Sequence, residues 1–390
     1  MKAEWSLTDA ETGLAALVFL LVYMVGSPLF GGLADSGISR KLLLLFGIIV
    51  WSVASSAAYF TTNLLTFLVT RAFVGLGESS FSIIAPTFLC DFYPPLYRNK
   101  ALAVFYLSMP LGAGIGFGLG GVLSEAFGWK AAYLITGIPG LLIALLLLPL
   151  RDPGLGSFDK NPSETPALLD TLKFFARRKM YVFSVIGLTF NIFGVGAMAD
   201  WLPAFFNRIY PDIPPDLSGL IIGGTTFFGG LFGIALGGVL PEFIRGKTKH
   251  HYMATMAIAS YFSVVCICIA VYVEEFYVTS FFAFLAQLFI FITSAPGVTI
   301  TGDIMPGNMR SRALGLSYLV THSFGDAISP TILGAILDLT SNVRLALSVI
   351  PLAITLSAMV YLSAWRCLDP KESLPLDQGE NEVLVTSKNG

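Results

Sequence analysis

Arg71 and Glu78 are seven residues apart, a spacing that returns to one face of an α-helix and separates them by roughly 10 Å along its axis. Both stand inside the apolar stretch 64–89. An ionisable side chain in mid-membrane costs at least about 2.5 kcal/mol on insertion scales, so it is expected to face a cavity or a partner. Conformations that change the exposure of Glu78 and its separation from Arg71 could load and release a proton. The competing reading is structural, with Arg71 bonding backbone carbonyls and Glu78 completing a static polar network. His322 and Asp326 form an i,i+4 pair within 313–337 and are neighbours on one helix face. They can share a proton, sense pH or hold a polar head group, or they lock packing. Asn191 is a weaker head-group candidate, because a single amide within a bundle is commonly interhelical glue. Asp200, Thr301 and Asp303 lie nearer the ends of apolar runs and read as solvated.

The elements that must position these residues are membrane spans. The 390 residues are 55% hydrophobic and 12% charged, against roughly 25% charged in soluble domains. A bilayer core is crossed by about 20 apolar residues as helix, and such runs occur at 13–33, 42–60, 64–89, 101–123, 129–150, 181–206, 217–240, 252–273, 277–304, 313–337 and 345–365. They lack the period-2 alternation of barrel strands, so the expected fold class is all-α, a polytopic bundle of eleven spans arranged 5 + 6. The first run is too long for a signal-peptide core and has no basic segment ahead of it, so it reads as a span.

Of the 23 Lys and Arg, the side facing away from the 34–41 loop collects only Lys2, Lys130, Arg208 and Arg344, and Arg71 lies within a span. The positive-inside rule therefore places the 34–41 loop and the C-terminus in the cytoplasm. A net charge of −2 without a basic run gives no indication of nucleic acid. Cys90, Cys266, Cys268 and Cys367 have neither metal-ligand nor disulfide-framework spacing and are expected as buried apolar residues. No metal cluster, nucleophile elbow or paired catalytic carboxylates appear, so neither an enzyme nor a cofactor is expected. The glycines at 112–121 and Gly229, Gly233 and Gly237 suit helices that slide or pack closely, and Phe190, Phe193, Phe227 and Phe228 are candidates to line an apolar cavity.

Residues 151–180, polar and proline-bearing, divide an N-terminal half (1–150) from a C-terminal half (181–366), with a polar tail at 367–390 expected to be disordered. The halves resemble each other. Gly31-Gly32-Leu33-Ala34-Asp35 through Lys41 recurs as Gly237-Gly238-Val239-Leu240-Pro241-Glu242 through Lys247, and Arg98-x-Lys100-Ala101-Leu102 recurs as Arg310-x-Arg312-Ala313-Leu314. In this register the first half has one helix fewer than the second. Paired six-helix repeats are a transporter architecture, with the solute site near the midplane between them.

Gly31-x-x-x-Asp35 with Arg40-Lys41 resembles the cytoplasmic loop motif of the major facilitator superfamily, and Arg71-x-x-x-Gly75 the basic position on its fourth helix. Ser36 and Ile38 depart from the loop motif, standing where an arginine and a glycine are usual. The segments Arg71 through Thr87 and His322 through Pro330 resemble the Spinster family of lysolipid and sphingolipid transporters. The resemblance implies a proton-linked carrier of lysophospholipids or sphingoid phosphates, whose partners are an amphipathic solute, protons and the bilayer. It implies proton coupling at Glu78 and Arg71, substrate contacts at Arg71, Asn191, His322 and Asp326, and a gating loop at Gly31, Asp35, Arg40 and Lys41. Two other readings stand beside it: a carrier of another small organic anion anchored by Arg71, and a truncated, non-transporting regulatory form.

Overall fold

The computed structural model describes residues 2–159, 166–369 and 371, and among them the chain is helical without strands. In order the helices are α1 (Lys2–Trp5), α2 (Asp9–Asp35), α3 (Arg40–Ala57), α4 (Leu64–Phe92), α5 (Pro95–Tyr106), α6 (Ser108–Phe127), α7 (Trp129–Leu147) and α8 (Leu168–Arg177). They continue as α9 (Lys179–Ile209), α10 (Pro215–Arg245), α11 (His251–Tyr272), α12 (Phe276–Phe291), α13 (Ser294–Ile304), α14 (Arg310–Phe324), α15 (Ser329–Thr340), α16 (Val343–Leu347) and α17 (Val349–Cys367). Nine segments among the described residues are long and apolar enough to cross a membrane, so this is an integral, multi-pass membrane protein.

Four of the runs read as single spans are each divided between two helices; 277–304 (α12 and α13) and 345–365 (α16 and α17) still count among the nine, whereas the other two do not. The run 101–123 is divided between α5 and α6 at Leu107, and 313–337 between α14 and α15 at residues 325–328. In both, a new helix begins just ahead of a proline, Pro110 or Pro330. Proline lacks the N–H that would continue the preceding hydrogen-bond ladder but is well suited to a helix's first turn. The tail beyond 371 lies outside the described residues.

By packing, the chain forms two compact units. One comprises Met1–Phe92, Ile115–Thr165 and Gly307–Leu319; the other comprises Tyr93–Gly114, Pro166–Pro306 and Val320–Gly390. Each unit thus incorporates a segment from the opposite sequence half. In the first unit α3 and α4 meet backbone to backbone: a Cβ on Gly47 would lie 2.7 Å from the Gly77 carbonyl, and one on Gly77 2.5 Å from the Gly47 carbonyl. Small residues permit that approach, which sets the height and rotation of α4. In the second unit the core gathers Phe193, Phe205, Phe206, Phe276, Ile290 and Ile354. Buried hydroxyls tie these helices together: Tyr210 Oη and Thr279 Oγ1 are 2.6 Å apart, and Ser357 Oγ donates to the Gly187 carbonyl at 2.8 Å.

The glycine face of α10 is a packing face. Cβ atoms on Gly233 and Gly237 would lie 2.3 Å from the carbonyls of Leu288 and Ile292. Gly112, Gly116 and Gly120 of α6, by contrast, have open space at the Cβ position, so that glycine run makes no comparable seam among the described residues. Cys90 and Cys266 are buried as expected, whereas Cys268 and Cys367 are exposed because they fall on the outer faces of α11 and α17.

Candidate functional site: a clasp of buried charges and a bare guanidinium

In the first unit α2 ends in a glycine cap. Ile38 N–H donates to the Leu33 carbonyl and Gly37 N–H to the Ala34 carbonyl, with Gly37 at φ +92°. This is a Schellman closure, and its left-handed residue requires glycine. The loop's glycine therefore works at position 37, which leaves Ile38 free to depart from the family pattern. Ser39 then caps α3 and presents Arg40 and Lys41.

Around this turn lies a network of charges in which Asp35, Arg40, Asp91 and Arg310 are 1–2% exposed. The Asp35 carboxylate accepts the backbone N–H groups of Ser311 (3.2 Å) and Arg312 (2.8 Å), in the first turn of α14. An anion there meets free N–H donors and the positive end of the helix dipole. Gly31 lets the two segments touch, because a Cβ on it would lie 2.4 Å from the Ser311 carbonyl. Asp91 at the end of α4 is held by two arginines, Arg40 Nη1 at 2.5 Å and Arg310 Nη1 at 2.6 Å. Their other terminal nitrogens reach the segment after α7: Arg40 Nη2 lies 2.6 Å from Asp152 and Arg310 Nη2 3.3 Å from Asp159. Asp159 also accepts Gly307 N–H at 2.6 Å, and Lys41 Nζ donates to the Leu148 carbonyl. Sequence reasoning found Gly31, Asp35, Arg40 and Lys41 but missed Asp91, Asp152 and Asp159, whose signal was only that they are acids near the end of a span.

The second unit holds the repeat counterpart. Asn99 Nδ2 donates to the carbonyls of Gly237 (2.9 Å) and Gly238 (3.1 Å), and Arg98 Nη1 pairs with Asp303 at 3.0 Å. The repeated sequences thus make repeated contacts: the arginine-bearing segment of one half lies on the Gly-Gly pair of the other. Asp303, read as solvated, is ion-paired, and Thr301 is buried; the sequence did not show that Arg98 would reach Asp303. Glu242 does not repeat the role of Asp35, since it pairs with Arg245 one turn on at 3.0 Å.

Arg71 is surrounded differently. Its guanidinium lies over the rings of Tyr133 (4.8 Å) and Phe67 (5.3 Å), and its buried Nε and Nη2 have no hydrogen-bond partner among the described residues. The rings belong to an aromatic cluster with Trp5 and Trp129, closed by Glu4, which accepts from Lys130 Nζ and Trp129 Nε1, both at 2.8 Å. Those hydrogen bonds hold the Glu4 carboxyl below its ordinary pKa. The sequence pointed to Arg71, but not to the rings from α7 and α1 that line it. Glu78 stands half-buried two turns along α4.

In the second unit His322 Nδ1 lies 2.9 and 3.1 Å from the two carboxylate oxygens of Asp326. The expected pair exists, though at the break between α14 and α15 rather than in mid-helix. Asn191 is 3% exposed and its Nδ2 has no partner among the described residues. A small cavity in this unit is lined by Val195, Met198, Leu202, Ile222, Ile290 and Phe291, with Thr226 and Gln287 as its polar groups. None of the four phenylalanines expected to line a cavity is among its walls: Phe193 is in the core, Phe227 packs on Gly114, and Phe228 stacks on Phe232.

Comparison with known proteins agrees with this architecture. The Major Facilitator Superfamily model matches residues 1–330. Protein spinster homolog 1 of Mus musculus is 30% identical, the match covering 86% of this chain and 67% of that protein. The sphingosine-1-phosphate transporter of Danio rerio is 29% identical over 93% of this chain and 78% of its own length. In fold, the chain matches the crystal structure of FucP, a major facilitator superfamily transporter in the outward conformation, at TM-score 0.76 and 18% identity, covering 92% and 91% of the two chains. A bacterial homolog of the human lysosomal transporter Spinster matches at TM-score 0.57 and 15% identity, over 92% and 97%. The chain is therefore a member of the major facilitator superfamily of membrane transporters, on its Spinster-like branch, and not an enzyme.

Proposed function

We propose that this protein is a secondary carrier that moves lysolipid or sphingoid-phosphate amphiphiles across its membrane by alternating access, linked to protons. The observation that carries the proposal is the Arg71 guanidinium, which has aromatic rings around it and no acceptor for Nε or Nη2 among the described residues. A cation in an apolar helix without hydrogen-bond acceptors is costly, and a phosphate monoester or diester supplies paired oxygens with matching geometry. The similar Danio rerio protein is a sphingosine-1-phosphate transporter, which supports the same substrate class. His322, Asp326 and Asn191 are head-group contacts in this reading, and Glu78 is the proton-carrying group.

The same reading takes each broken helix pair, α5 with α6 and α14 with α15, as one crossing. That gives eleven crossings, with residues 1–150 and 181–366 as the two repeats, residues 151–180 as their linker and the C-terminus in the cytoplasm. Gly31, Asp35, Arg40 and Lys41 then form a cytoplasmic clasp that must open and reform in each cycle. The test is uptake of labelled lysophospholipid and sphingosine phosphate into proteoliposomes, with and without an imposed pH gradient. Gradient-driven uptake that Glu78→Gln uncouples supports the proposal. Uptake unchanged by the gradient and by Glu78→Gln removes proton linkage, and inhibition by soluble organic anions but not by lipids replaces the substrate class.

A further inference from the structure

Helix α8 is not one of the nine spans, and its ten residues divide into three faces. At about 100° per residue, Thr171 and Phe175 share one face, and both are buried. That face is seated on α9: the ring of Phe175 lies 5.4 Å from that of Tyr181, which is also buried. Leu168, Leu169, Leu172 and Ala176 fill the next sector, and all four are exposed, Leu168 and Leu169 by 64% and 63%. Lys173 and Arg177, exposed as well, border that sector on the side away from the packed face. Arg178 and Lys179 follow directly. The acid of this helix, Asp170, lies 3.8 Å from Lys173 and leaves the bases in excess.

The level of α8 relative to the bilayer follows from its connection. Only Arg178 separates it from α9, and Tyr181, on which Phe175 packs, is in the first turn of α9, where the apolar run begins at Met180. The exposed leucines therefore stand beside the point at which α9 enters the membrane. An apolar strip edged by Lys and Arg is the pattern of a helix lying in the membrane surface, with its leucines among the first acyl carbons and its bases on anionic headgroups. A protein partner fits this face less well. Three leucines and an alanine fall well short of the roughly 800 Å² that each side of a stable protein interface buries. We infer that α8 is a docking surface for anionic phospholipids, with Leu168, Leu169 and Leu172 inserted and Lys173 and Arg177 on the headgroups. The inference rests on α9 being a span, and not on the identity of the transported solute.

The test uses the full-length protein in nanodiscs of mixed phosphatidylcholine and phosphatidylserine. The exposed cysteines Cys268 and Cys367 are replaced by serine, and a nitroxide is attached at Leu172→Cys or at Arg177→Cys. The label at position 172 should relax faster with oxygen, which partitions into acyl chains, than with a water-soluble nickel complex, and the label at position 177 should show the reverse. A photoactivatable phosphatidylserine should crosslink to α8. Lys173→Gln and Arg177→Gln should each reduce that crosslinking about fivefold, and Lys173→Arg should retain it. Equal access of the nickel complex to both labelled positions would put the helix in water and overturn the inference. Shielding of position 172 from both reagents would mean that protein covers it, with the same consequence. Crosslinking that a photoactivatable phosphatidylcholine matches, and that neither Gln substitution changes, would remove the anionic preference and the inference with it. Lysolipid uptake enters none of these outcomes, so the carrier reading stands or falls separately.

Discussion

Helix α4 carries a buried charge toward each end, and the two are treated in opposite ways. At its C-terminal end Asp91 is held by Arg40 and Arg310, each with a second carboxylate, so both terminal nitrogens of each arginine are engaged. Toward its N-terminal end Arg71 has ring faces, and its Nε and Nη2 are without acceptors among the described residues. Burying an ion is costly either way, and within the clasp that cost is offset inside the protein itself. At Arg71 it is not offset by hydrogen bonding, although the rings contribute some cation–π attraction. Arg40 Nε, like Arg71 Nε, has no partner among the described residues, so what sets Arg71 apart is its terminal Nη2, the nitrogen that the proposed anion would engage.

The largest effect should come from breaking the end held by Asp91. Asp91→Asn leaves Arg40 and Arg310 without their shared carboxylate and should cost about 3–5 kcal/mol, read as a lower melting temperature in detergent. Next, Gly31→Ala should cost about 1–3 kcal/mol because its Cβ would collide with the Ser311 carbonyl. Gly32→Ala, with open space at that position, should be neutral; equal effects from the two would show that Gly31 makes no close contact. Asp35→Asn keeps the shape but removes the charge facing the start of α14, and should cost about 0.5–2 kcal/mol. The smallest effect concerns the cluster beside Arg71. The Glu4 pKa is depressed in the folded state, so its stabilising contribution is present above the ordinary carboxylate pKa and is lost as pH falls through the depressed value. Tryptophan fluorescence from Trp5 and Trp129 should change in that acid range, and Glu4→Gln should abolish the change.

Much of this was legible in the sequence because membrane spans depend on local composition. The apolar runs, the placement of Arg71 and Glu78 on α4, and the Gly-Gly and Arg-x-basic repeats all follow from spacing alone. The partners did not. Asp91 is far in sequence from Arg310, and nothing local distinguishes it from a solvated acid at the end of a span. Tyr133 comes from α7, whose Gly137 and Gly140 close on α3, itself seated on α4 through Gly47 and Gly77. The break at 325–328 had a signal in Gly325 and Pro330, but an unbroken apolar run masked it. The His322–Asp326 pair was found through i,i+4 spacing.

The most direct test compares Arg71→Met with wild type, measuring both the melting temperature without ligand and the increase produced by lysophosphatidic acid. If Arg71 is an anchor for an anion, the variant without ligand melts at or above the wild-type temperature, since an unsatisfied buried charge has been removed, and the ligand stabilises wild type alone. A variant that melts well below wild type yet is stabilised by the ligand to the same extent would contradict the account, and would make Arg71 a structural residue like Arg40.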